Sequence, residues 1–166
     1  MKRKKSTTYL VDACVLIDYF KVDLSVLGLF AKHFGPVYAC LDIVVEEVDG
    51  LDIPTCYNAN ISIYESNLDQ LEAAAHQRGQ LSFYDHLFFL VARDKKWTAI
   101  TNDENLLDAC HGTNIDTSRG IRPLIDLTKA GHITSRESTQ IAKQIVSNNA
   151  QMSRHILQEF KRAIRD

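Results

Sequence analysis

Four acidic residues stand where carboxylates could do chemistry together. Asp12 follows the apolar run Tyr9-Leu10-Val11, Glu47 lies in Val44-Val45-Glu46-Glu47-Val48, Asp85 follows Ser82-Phe83-Tyr84, and Asp103 follows Ile100-Thr101-Asn102. Carboxylates drawn from separate segments suit a hard divalent cation such as Mg2+ or Mn2+, which prefers oxygen ligands. Gathered without a cation they repel one another, and some of their pKa values rise. Each acid also has a purely structural role open to it. Asp103 can cap a helix, Asp85 sits at capping-box spacing from Ser82, and Glu47 can be one of the charges that favour an N-terminal helical turn. Asp12 resists that explanation, because a charge directly behind a buried strand is costly without a partner.

The elements that must position these acids alternate between strand and helix. Tyr9-Leu-Val-Asp12 reads as a strand, and Ala13–Phe20 as the helix it runs into, with Val15, Leu16, Tyr19 and Phe20 at helical spacing. Asp23–Phe34 predicts a second helix, punctuated by Gly35-Pro36 before a strand over Val37–Cys40. Asp42 is placed to cap a helix carrying Ile43, Val44, Glu47, Val48 and Leu51, with Glu47 in its early part. Ile61–Tyr64 can be a strand or part of a loop, and the run from Leu68 is helix-forming up to Gly79. A buried helix over Tyr84–Asp94, a strand over Trp97–Thr101 and a helix from Glu104 to Cys110 complete the centre. Arg122–Asp126 suggests one more short strand, and residues 135–165 one or two helices interrupted near Ser147-Asn148-Asn149. This pattern predicts an α/β fold with a central parallel sheet of about four to five strands, flanked by helices. The carboxyl edge of such a sheet is where ligands gather, and Asp12 and Asp103 both fall there.

The bulk composition fits one domain. The chain has 166 residues, 45% hydrophobic and 24% charged, which is enough for a real core and tight for two. A net charge of -2 argues against holding nucleic acid by bulk positive charge and leaves only local basic patches, with Lys21, Lys32, Arg119 and Arg122 as candidates near the acids. Cys14, Cys40, Cys56 and Cys110 form no C-x-x-C pair and lie in or near apolar runs, so reduced core thiols and a cytoplasmic setting are expected. No apolar run approaches membrane-spanning length, and the basic run Lys2–Lys5 has no apolar signal-peptide core behind it. None of the six histidines shows ligand spacing or a recognisable partner.

Taken together, Tyr9-Leu-Val-Asp12-Ala-Cys-Val-Leu-Ile, Val44-Val-Glu-Glu47-Val, Leu81-Ser-Phe-Tyr-Asp85 and Ile100-Thr-Asn-Asp103-Glu-Asn-Leu resemble, in order and spacing, the motif set of PIN-domain nucleases. The resemblance covers about residues 9–127, extends through Gly120–Leu127, and is nearest to the toxin ribonucleases of toxin–antitoxin pairs. It implies a metal-dependent endoribonuclease of one domain over residues 1–166, with a helical tail at about 135–166 that it does not explain. Carried onto this sequence, it makes Asp12 and Asp103 metal ligands, Asp85 a third, and Glu47 the acid that completes the pocket. Ser82 and Thr101 take supporting polar positions, and Glu46 is the reserve for Glu47, which shares its helical stripe with Ile43, Val44 and Val48. It further implies Mg2+ or Mn2+, an RNA substrate, a protein antitoxin that blocks the pocket, and a homodimer.

Two other readings compete. A phosphatase-like or receiver-like domain would use Asp12 as a phosphorylated nucleophile, but it calls for a second acid close by, where this sequence has Ala13-Cys14. A PIN fold kept as a silent binding module would be marked by the loss of an acid, and all four are in place.

Overall fold

A computed structural model describes residues 6–166, so the basic run Lys2–Lys5 lies outside the described residues. The chain opens with β1 (Tyr9–Val11), α1 (Ala13–Val22), α2 (Ser25–Phe34) and β2 (Val37–Cys40). There follow α3 (Leu41–Glu47), α4 (Ile53–Asn58), β3 (Ser62–Tyr64), α5 (Leu68–His76) and α6 (Phe83–Lys95). Then come β4 (Thr98–Ile100), α7 (Glu104–His111), β5 (Thr117–Ser118) and α8 (Arg122–Lys129), and the tail forms α9 (Ser135–Asn148) and α10 (Arg154–Ala163).

The five strands form one parallel sheet in the order β3-β2-β1-β4-β5. Its central strand is fully apolar at Leu10 and Val11, as a strand covered on both faces must be. From β1 the chain winds outward through β2 to β3, then returns to the other side of β1 for β4 and β5. The order therefore reverses between β1 and β4, and the crevice beyond their carboxyl ends is the place such sheets reserve for ligands. Asp12 follows β1 directly, and Thr101-Asn102-Asp103 follows β4 directly.

Several sequence expectations are corrected. Arg122–Asp126 is the first part of α8 and no strand; Pro123 fits the first turn of a helix, where no N–H is required, and Leu124, Ile125 and Leu127 share a buried face. The last strand is instead Thr117–Ser118, two residues too short to leave a period in the sequence. Asp42 does not cap α3, which starts at Leu41 immediately behind β2 with Cys40 at its cap. Helix α3 stops at Glu47, because Val48 is extended and Gly50 turns to a φ of 80°. Glu47 is thus the last residue of α3 and not an early one. A carboxylate there faces the negative end of the helix dipole, so the expected helix-stabilising role does not apply.

The tail is integral to the core. Phe160 of α10 and Ala142 and Ile145 of α9 are buried in the same apolar cluster as Leu10, Val15 and Leu16. Helix α9 packs on α1 and α8, and α10 packs on α9.

Candidate active site

Asp12 is 4% exposed and caps α1: its Oδ1 accepts from the Ala13 N–H at 2.7 Å. Its Oδ2 accepts from the Thr101 hydroxyl at 2.8 Å and from the Cys14 thiol at 3.3 Å. Its own N–H continues the sheet by donating to the Ile100 carbonyl at 3.0 Å. Thr101 is fully buried, and its Oγ1 in turn accepts from the Asp103 N–H at 3.1 Å. One threonine thereby fixes the two strand-end acids relative to each other. Asp103 caps α7, its Oδ1 accepting from the Leu106 N–H at 3.0 Å. Asp85 sits in the first turn of α6 behind Ser82, whose hydroxyl accepts from the Asp85 N–H at 3.1 Å.

Asp12, Glu47, Asp85 and Asp103 all line one cavity of about 600 Å³ at this edge. Glu46 is exposed and outside it, so the structure separates the two adjacent acids as the helical stripe predicts. The neighbours on the wall are Cys14, Asn102, Glu104, Arg119 and Ile121. Arg119 is paired with Glu104 at 2.8 Å, at the exposed rim. Gly120 ties the rim down: its N–H donates to Asn102 Oδ1 at 2.9 Å and its carbonyl accepts from the buried Tyr19 hydroxyl at 2.6 Å.

The charges in the cavity act on one another. Burial, foremost, raises the Asp12 carboxyl above its ordinary value, with the Thr101, Ala13 and Cys14 hydrogen bonds pulling it down and Asp85 pushing it further up. Glu47 is raised by burial and then by Asp85 and Asp12. Asp85 is raised by burial and by Asp103, with Ser82 opposing. Burial and the Asp12 charge push the Cys14 thiol up to about 12, so it stays protonated and able to donate. The donor set is all oxygen, carries excess negative charge and has a single cation, already paired, on its wall, which fits a hard divalent ion. The acids line the cavity without closing on a point: among the described residues no three His, Cys, Asp or Glu side chains are gathered tightly enough to hold an ion.

The opposite wall carries no motif in the sequence. It is the α9–α10 connector and the start of α10, with Asn149, Gln151, Met152, His155, Ile156 and Glu159 facing the acids. The connector is anchored by Asn149, whose Nδ2 donates to both carboxylate oxygens of the buried Asp18, at 3.0 and 3.3 Å. His155 lies on this wall and pairs with Glu159 at 3.3 Å, and His111 meets Thr117 at 3.0 Å, partners that spacing alone does not reveal. Of the steering candidates, Arg119 reaches the cavity; Arg122 pairs with Asp126, and Lys32 lines a separate groove. The Asn148-Asn149 break between two amphipathic helices is the signal in the sequence, but it marks a turn without saying what the turn covers.

A solved PilT N-terminus domain protein, SSO1118 from the hyperthermophilic archaeon Sulfolobus solfataricus P2, superposes with a TM-score of 0.51 over 72% of this chain and 92% of its own. The fold is PIN-like. Sequence identity is 10%, so the likeness carries the PIN-like architecture and leaves the site to be argued from its own residues. No family model and no curated protein matches the sequence. Among the described residues, no helix of this PIN-like chain is long and apolar enough to cross a membrane.

Proposed function

We propose that this chain is a metal-dependent endoribonuclease whose site is the acid cavity at the β1/β4 crevice. One observation carries the reading: four carboxylates from four separate elements open into one cavity at the switch point of a PIN-like sheet. Asp12, Asp103 and Asp85 would hold Mg2+ or Mn2+, and Glu47 would complete the pocket. A bound divalent ion supplies a more acidic water and neutralises charge on the phosphate. The chain's own residues do the rest. Thr101 holds Asp12 and Asp103 in register, Ser82 fixes the turn that carries Asp85, and the α9–α10 connector narrows the approach. No serine or cysteine nucleophile is called for, and the raised Cys14 thiol is unsuited to be one.

The deciding assay is cleavage of single-stranded RNA with Mn2+ or Mg2+, with EDTA, and with Asp12→Asn. Activity is expected to vanish in the last two, by a factor of about 100 or more for the substitution; cleavage that survives both rejects the reading. The motif resemblance to toxin ribonucleases extends it to a growth-arresting enzyme with a protein antitoxin and a homodimeric state. Expression toxicity that disappears with Asp103→Asn would support that extension. The open spacing of the acids favours a second reading, a module that binds RNA without cutting it; binding with no cleavage at any divalent concentration would select it.

A further inference from the structure

The tail is basic in an acidic chain. Residues 135–166 hold Arg136, Lys143, Arg154, Lys161, Arg162 and Arg165 against three acids, in a protein of net charge -2. Four of these cations face one another. Arg136 and Lys143 from α9, with Lys161 and Arg165 from α10 and the residues after it, line a cleft of about 560 Å³ between the two helices. The rest of its lining is Ser135, Thr139, Gln140 and Ile164, so no acid is present. None of the four cations is in an ion pair among the described residues. Four like charges facing one cleft repel one another. An arrangement that costs stability without an anion is satisfied by one.

We infer that the α9–α10 cleft grips the phosphate backbone of an extended RNA strand, on the flank of α10 away from the acid cavity. The inference rests on the endoribonuclease reading for its choice of strand. Helix α10 stands between the two places: His155, Ile156 and Glu159 line the acid cavity, whereas Lys161 and, just past the helix end, Ile164 and Arg165 line the cleft on its other flank. Cations gathered on the tail draw a polyanion to a protein whose net charge is otherwise negative. The cleft has no aromatic residue to stack a base, so it holds backbone and reads no sequence. Its two basic walls also make the tail, unexplained by the family resemblance, a substrate arm.

The test uses the full chain carrying Asp12→Asn, without divalent ions, binding a short labelled single-stranded RNA over a range of salt. Lys161→Ala/Arg165→Ala should weaken binding about tenfold, and the slope of log K against log salt should fall by about 1.4, two phosphates at roughly 0.7 each. Arg136→Ala/Lys143→Ala, from the other wall, should do the same. Lys95→Ala/Lys96→Ala, just before β4 and so at the opposite edge of the sheet, should leave both quantities unchanged. Unchanged binding in both cleft pairs, or equal losses in the Lys95/Lys96 control, overturns the inference. So does a cleft whose substitution abolishes binding to phosphatidylserine vesicles while RNA binding stays intact. The parent reading fails separately: RNA held by the cleft but never cut by the unsubstituted chain with Mn2+ sinks the nuclease and leaves the arm. Matched thermal melts confirm that these exposed or half-exposed substitutions leave the fold in place.

Discussion

Thr101 is the residue on which the site's geometry turns. Its hydroxyl donates to Asp12 and accepts from the backbone of Asp103, so removing it loosens both acids while touching no substrate. Thr101→Val keeps the shape, leaves Asp12 with fewer partners, and should raise the Asp12 pKa further; a cleavage pH profile displaced upward is the expected reading. The raised carboxyls also predict how stability depends on pH. Asp12, Glu47 and Asp85 hold their protons more tightly folded than unfolded, so this contribution is present below the unfolded carboxylate range and is lost as pH rises through the higher native values. In EDTA the melting temperature should therefore climb as pH falls from neutrality toward the ordinary carboxylate range, and Asp12→Asn should flatten that climb. Addition of Mn2+ at neutral pH should restore stability to the native chain and less to the variant. A metal-free melting curve indifferent to pH, equal in both proteins, would contradict the account of the cavity.

Helix α2 meets the turn that follows α4 with no room between them: a Cβ on Gly28 would lie 1.9 Å from the Ala59 carbonyl oxygen, a backbone atom. Gly28→Ala should destabilise the chain by at least 1–3 kcal/mol, or roughly 2–12 °C in melting temperature, without altering RNA affinity. The α9–α10 connector depends on a polar contact instead. Asn149→Ala leaves the buried Asp18 carboxylate without its amide donor, at a cost of about 1–3 kcal/mol. Because Asn149 also walls the acid cavity, this variant should lower kcat/KM more than Gly28→Ala does at matched stability. The elements legible in the sequence were those with a clear period or cap. Val15, Leu16 and Tyr19 gave α1, Ser82 gave the start of α6, and Asp103 gave that of α7. Two-residue β5 carries no period, α8 hides behind Pro123, and α3 begins without a side-chain cap, which displaced Glu47 to the wrong end of its helix. Asp12 and Asp103 are legible from strand ends and from the motifs around them, whereas the connector opposite them arises from contacts 131 residues apart, such as Asp18 with Asn149.

At the scale of the molecule, the sheet supplies one wall of the cavity and the tail supplies the other. A tail that merely hung from the PIN-like sheet could be lost with little cost, but Phe160 is fully buried in the main core together with Ala142 and Ile145. Truncating a buried Phe to Ala removes its transfer energy and leaves a void, typically about 3–5 kcal/mol. For a chain of this size that is roughly 6–20 °C in melting temperature. Phe160→Ala should therefore shift the entire unfolding transition, with a single midpoint by tryptophan fluorescence at Trp97 and by far-UV circular dichroism. Trp97 stacks on Tyr38 beside the central strands, far along the chain from the tail, so it reports on the sheet. If the Trp97 transition stayed in place while only helical signal was lost early, the tail would be an independent appendage. The acid cavity would then have a wall that comes and goes, and the cooperative link between core and substrate arm would be refuted.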